Sequence, residues 1–129
     1  MTTVLLVEDN EKNMKLLRDV LTAKGYRVVE ATSGEEAVEL TLEQAPGLVL
    51  MDVQLPGIDG VEALHRLRSD ARTAVIPVLA LTAQAMEGDR ERFLTAGFDG
   101  YLSKPVDIVE LLATVAAHTG KRPAPHPSG

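Results

Sequence analysis

The chain has 129 residues, 45% of them apolar and 25% charged, with a net charge of −6 and no cysteine. That length suits one domain around one core, and the composition excludes disorder as the main state. Disulfides, thiolate catalysis and cysteine-bound zinc are excluded, and the acidic balance speaks against a face for phosphate backbones. No apolar run nears the ~20 residues of a membrane span, and no signal-peptide layout opens the chain, so the expected compartment is the cytoplasm. Of four aromatics, Phe93, Phe98 and Tyr101 lie within nine residues of each other, which makes no stacking platform for single strands. Neither direct nucleic-acid binding nor membrane insertion is expected.

In chain order, Val4-Leu5-Leu6-Val7 reads as a first strand, and Met14, Leu17 and Leu21 as one helix face that stops at Gly25. Val28-Val29 marks a second strand running out through Ala31-Thr32-Ser33. Ser33-Gly34-Glu35-Glu36 then opens a second helix with a capping box. Leu48-Val49-Leu50-Met51 is the third strand, followed by turns at Leu55-Pro56-Gly57 and Asp59-Gly60 that leave the approach to its end open. Val78-Leu79-Ala80-Leu81 is the fourth, Gly97 ends the helix after it, and Gly100-Tyr101-Leu102 is a weak fifth. Asp107 caps a last helix carrying Ile108, Leu111, Leu112 and Val115 at i, i+3, i+4, i+7. Apolar runs without polar alternation suit strands covered on both faces. The fold class is therefore α/β, a doubly wound (βα)5 parallel sheet over residues 1–118. Residues 119–129 hold three of the seven prolines and no aliphatic side chain larger than alanine. They are expected to form a disordered tail with no further domain.

In such a sheet, ligands bind beyond the carboxyl ends of the strands. Strand one ends in Glu8-Asp9, strand three in Asp52, strand four in Thr82, and strand five leads into Ser103-Lys104-Pro105; strand two adds nothing charged. Alone, a strand-end aspartate is usually a helix cap and a lysine usually solvated. Five such groups on four strand ends converge on one edge, and that convergence marks function. Three carboxylates repel unless a cation sits among them, and an all-oxygen set suits a hard ion such as magnesium. The set matches phosphoryl transfer to a carboxylate, where catalysis is positioning plus charge neutralisation. Asp52, ending the most apolar strand, is the candidate nucleophile. Asp9 and Glu8 would hold the metal, and Lys104 and the Thr82 hydroxyl would bind phosphoryl oxygens.

Val4-Leu-Leu-Val-Glu-Asp-Asn10, Leu50-Met-Asp52-Val-Gln-Leu-Pro-Gly57, Leu81-Thr82-Ala83 and Ser103-Lys104-Pro105 resemble the receiver domain of two-component response regulators. The resemblance covers residues 3 to about 118. It implies Asp52 as phosphoacceptor and a Mg2+ site of Glu8, Asp9, Asp52 and the Gln54 backbone carbonyl. It also implies Thr82 as switch hydroxyl, Tyr101 as switch aromatic, Lys104 as phosphate-contacting lysine, a cis Lys104–Pro105 bond and the strand order 2-1-3-4-5. Asp9-Asn10-Glu-Lys-Asn13-Met14, Asp52-Val-Gln-Leu-Pro56 and Thr82-Ala-Gln-Ala-Met86 look most like single-domain cell-division regulators of the DivK type, with receivers of hybrid histidine kinases also similar. The implied partners are a histidine kinase or histidine phosphotransfer protein, and a target on the face of helix four, strand five and helix five. The implied role is a signalling phosphoacceptor, not an enzyme.

Two rival functions share the fold. A magnesium-dependent aspartyl-phosphate hydrolase wants a second aspartate two positions after the nucleophile, where this chain has Gln54. A flavin or nucleotide module wants a glycine-rich phosphate loop, and neither G-x-x-x-x-G-K-[ST] nor G-x-G-x-x-G occurs. His65, His118 and His126 have no metal-ligand spacing and read as surface, Lys121-Arg122 as a solvated helix exit. Asn10 and Asn13 are placed to hydrogen-bond near the metal, and capping helix one explains Asn10 at least as well.

Overall fold

The structure is a computed structural model that describes residues 2–83 and 89–119. The elements alternate: β1 (Thr3–Val7), α1 (Glu11–Ala23), β2 (Arg27–Ala31), α2 (Gly34–Gln44), β3 (Leu48–Asp52), α3 (Gly60–Arg68), β4 (Val78–Thr82), α4 (Asp89–Ala96), β5 (Gly100–Ser103) and α5 (Ile108–Thr119). The five strands pair in parallel in the order β2-β1-β3-β4-β5, the flavodoxin-like order that the resemblance implied.

Alternate side chains of each strand enter two separate cores. Leu5, Val7, Val49, Met51, Val78 and Ala80 meet Ala37, Leu64 and Phe93 from α2, α3 and α4 on one face. Val4, Leu6, Leu48, Leu50, Leu79 and Leu81 meet Leu17 and Leu21 of α1 and Leu111 and Val115 of α5 on the other. Two covered faces explain why the central strands carry unbroken apolar runs. Every strand also extends a residue or more beyond its apolar run, since backbone pairing does not require an apolar side chain. The consequence matters: Asp52 and Thr82 are the last residues of β3 and β4, in register with Leu81 and Ser103.

The helix starts are capped locally. Asn10 Oδ1 accepts from the Asn13 N–H, Ser33 Oγ from the Glu36 N–H, Asp59 Oδ1 from the Glu62 N–H and Asp107 Oδ1 from the Glu110 N–H. Asp59-Gly60, read as a turn, is thus the cap and first residue of α3. α2 ends without a glycine. Ala45 takes the left-handed conformation at φ 46°, the residue before Pro46, which has no N–H with which to continue the helix. Thr119, assigned to the tail, is the last residue of α5. The rest of the expected tail, with Lys121-Arg122 and His126, lies outside the described residues, as does the Gln84-Ala-Met86 segment of the resemblance.

Candidate functional site

Asp52 ends a strand whose five residues are all buried, and it is itself only 4% exposed. Its Oδ1 accepts from the Gln54 N–H at 2.9 Å and its Oδ2 from Lys104 Nζ at 2.8 Å. The open approach expected from the glycine turns is therefore narrow, because strand burial continues through Asp52 and the lysine lies against it. α3 closes in from behind: the Gly60 N–H donates to the Val53 carbonyl at 3.0 Å. A Cβ on Gly60 would stand 2.6 Å from the Asp52 carbonyl oxygen and 2.8 Å from Val53 Cα. Only glycine permits this approach of helix to strand end. The only local signal of that role is the Asp59-Gly60 pair, which by itself also fits a turn.

Glu8 follows β1, and its N–H still pairs with the Ala31 carbonyl at the end of β2. Its side chain is 1% exposed. Oε2 accepts from the Asn10 N–H at 3.1 Å. Oε1 lies 2.9 Å from Lys104 Nζ but off hydrogen-bond geometry, so this buried oxygen has no donor of its own. Burial pushes the Glu8 carboxyl above its ordinary range, with the charge of Asp52 adding to the push; Lys104 and the Asn10 N–H oppose it without prevailing. Burial by itself would lower Lys104. The hydrogen bond to Asp52 and the contact with Glu8 outweigh it and hold the ammonium above its usual value.

Asp9 is exposed, and carboxylate oxygens of Glu8, Asp9 and Asp52 all lie within 4.8 Å of one another. Three clustered carboxylates with one ammonium among them remain net negative, which fits a hard divalent cation. Lys104 reaches the cluster from the residue after β5, where its N–H pairs with the Thr82 carbonyl at 2.8 Å and the Lys104–Pro105 peptide is cis. Thr82 is buried at the end of β4. Tyr101 is half-buried, its ring centroid 6.0 Å from that of Phe93 on α4. The fold thus brings the Glu8, Asp9 and Asp52 carboxylates together with the Lys104 ammonium; Thr82 ends β4, the strand paired with β3, and Tyr101 lies on β5. His65 is exposed, but His118 is half-buried with Nδ1 2.9 Å from the Thr114 carbonyl, contrary to the surface reading.

An acidic cluster at the carboxyl edge of a five-stranded doubly wound sheet, with a lysine bridging two of its members, is the arrangement of a receiver. The chain matches the response regulator receiver domain family over residues 4–116 and belongs to it. It is similar to the polar-differentiation response regulator DivK of Brucella ovis, 44% identical over 118 residues that cover 92% of this chain and 96% of that one. Among solved structures, a putative response regulator from Chloroflexus aurantiacus superposes with a TM-score of 0.87 at 36% identity, covering 92% of this chain and 98% of that one. The receiver domain of a sensor histidine kinase from Pseudomonas aeruginosa, solved with a magnesium ion coordinated in its active site cleft, superposes with a TM-score of 0.86 at 38% identity over the same shares.

Proposed function

We propose that this receiver accepts one phosphoryl group on Asp52 from a histidine kinase or histidine phosphotransfer protein, and signals by binding a target protein in the phosphorylated state. The observation that carries the reading is the Lys104 ammonium, 2.8 Å from Asp52 and 2.9 Å from Glu8 inside one carboxylate cluster. An Asp52 oxygen attacks phosphorus, a P–O bond forms, and the bond to the donor breaks with its electron pair leaving on the donor. The Gln54 N–H and Lys104 hold the two Asp52 oxygens apart and aimed, which is the positioning such a loose transition state needs. Lys104 and the Thr82 hydroxyl then neutralise phosphoryl oxygens. Glu8, Asp9, Asp52 and the Gln54 carbonyl would hold Mg2+, which when bound supplies further positive charge to those oxygens.

Thr82 and Tyr101 carry the signal toward α4, β5 and α5, where Leu94, Tyr101, Ser103, Glu110 and His118 line a groove of about 470 Å³. The local charge change biases this two-state surface. No helix among the described residues is long and apolar enough to cross a membrane, and we place the protein in the cytoplasm.

Acetyl phosphate with Mg2+ tests the reading. A receiver gains one base-labile label per chain, a hydrolase turns over many equivalents, and a flavin module does neither. Asp52→Asn should abolish the label; retention of a stoichiometric label by that variant sinks the assignment. The chain has no tryptophan, so amide shifts near Asp9 and Asp52 report Mg2+ binding. A chain shortened after Thr119 should label at the rate of the full one.

A further inference from the structure

β5 is an edge strand of four residues, paired only with β4. A slip of one residue would turn Tyr101 to the other sheet face and carry Lys104 along by roughly 3.3 Å. Whatever holds the register of this strand therefore holds both groups that the proposed chemistry takes from it.

At the end remote from Asp52, the register is held by Asp99. Its N–H donates to the Val78 carbonyl at 2.8 Å, and its Oδ2 accepts from the Val78 N–H at 2.8 Å. The same Oδ2 accepts from Arg68 Nη2 at 2.8 Å. Arg68 is the last residue of α3, and its guanidinium makes three more bonds. Nη2 donates to the Gly97 carbonyl at 3.1 Å, and Nη1 to the carbonyls of Ala74 at 3.1 Å and Ile76 at 2.7 Å. One side chain thus ties the end of α3, the chain entering β4 and the turn between α4 and β5. A planar fork of five donors can serve acceptors in several directions, which an ammonium cannot match. Arg68 is 24% exposed, whereas its helix neighbours His65 and Arg66 face solvent.

We propose that Arg68 is a positioning residue for the phosphoryl site: through Asp99 it holds β5 in register, and so sets Lys104 against Asp52 and Tyr101 against Phe93. The proposal rests on the phosphoacceptor reading, because it requires Lys104 to assist labelling. Arg68 itself touches none of the carboxylates of the cluster, and its bonds run to the opposite end of β5.

A double-mutant cycle on the full chain decides it, with acetyl phosphate and Mg2+ as probes and each variant assayed well below its melting temperature. Arg68→Gln should slow labelling roughly 10- to 100-fold, the scale of a misplacement near 1 Å. In a Lys104→Ala background the same change should have little further effect, since coupled residues are not additive. Amide shifts of Tyr101 and Lys104 should move in Arg68→Gln while that of Asp9 stays. Arg68→Lys should recover melting temperature more than labelling rate, because it restores charge without the fork. If Arg68→Gln does not fold, Asp99→Asn serves, since it weakens the Arg68 bond and keeps an oxygen for the Val78 N–H. Equal slowing in both backgrounds overturns the proposal and leaves the phosphoacceptor reading standing. A wild type that takes no label, or a Lys104→Ala variant that labels as fast as wild type, overturns that reading and this proposal with it.

Discussion

Asp52 and Lys104 meet at 2.8 Å, yet the strands that deliver them are held by different forces. β3 lies at the centre of the sheet, with Leu48, Val49, Leu50 and Met51 fully buried between two helical layers. Burial of each such side chain contributes about 1.5–3 kcal/mol, so no single polar bond decides where Asp52 sits. β5 lies at the edge, and Leu102 is its only buried residue. Its position depends on one ladder, to β4, and on bonds at its two ends, Asp99 to Val78 and Arg68, and Lys104 to Thr82. Each such bond contributes only about 0.5–3 kcal/mol. The difference teaches that one partner of the Asp52–Lys104 pair is fixed by the core and the other by bonds at a sheet edge, which suits the switch we propose at β5.

The sharpest challenge to this contrast is a pair of truncations. Leu50→Ala should cost about 2–5 kcal/mol in urea unfolding, and Asp99→Ala, which removes only polar bonds at the edge, less, about 1–3 kcal/mol. Equal costs would break the contrast. Thr82→Ala acts between the two regions, since Thr82 ends the buried β4 and its carbonyl anchors β5. The phosphorylated form should lose a charge-assisted bond worth about 1.5–3 kcal/mol. Labelling should slow yet persist, while the shift of the Tyr101 amide on adding beryllium fluoride, a phosphoryl mimic, should shrink. An unchanged Tyr101 shift would remove Thr82 from the switch.

Gly60→Ala tests the rigid side by crowding. A Cβ there lies 2.6 Å from the Asp52 carbonyl, so α3 or the strand end must shift, at about 1–3 kcal/mol. Thermal unfolding should show that loss, and labelling should fall with it if the carboxylate moves. The smallest effect concerns an exposed pair that contrasts with the Arg68 clamp. Arg72 binds the Asp70 carboxylate with its guanidinium at 2.7 Å and with its backbone N–H at 2.9 Å. These bonds hold the Asp70 carboxyl down at about 2, against an ordinary 3.8. A lowered folded value means stabilisation that is complete above the ordinary value and is lost as pH falls toward 2. The gap in melting temperature between wild type and Asp70→Asn should be small, should narrow over that acid window and should shrink in salt, as exposed pairs do. A gap that widens on acidification would contradict the assigned geometry.

Much of this molecule was legible before any coordinate. Strand-length apolar runs, caps at Asn10, Ser33 and Asp107, and the polar residues after each run depend on local periodicity and local hydrogen bonds, which the chain carries in its order. Those suffice to put Glu8, Asp9, Asp52, Thr82 and Lys104 on one edge, because a parallel sheet aligns its strand ends. The chain order put Lys104 on the edge of the three carboxylates but did not show its contacts: the ammonium lies 2.8 Å from Asp52, 52 positions away, and 2.9 Å from Glu8. Nor did it show that Glu8 would be buried, that Gly60 would press on the backbone of Asp52, or that Arg68 would reach Asp99 across 31 positions. Each of these is a contact between residues remote in sequence, and its energy depends on burial and distance that exist only once the two helical layers have closed on the sheet.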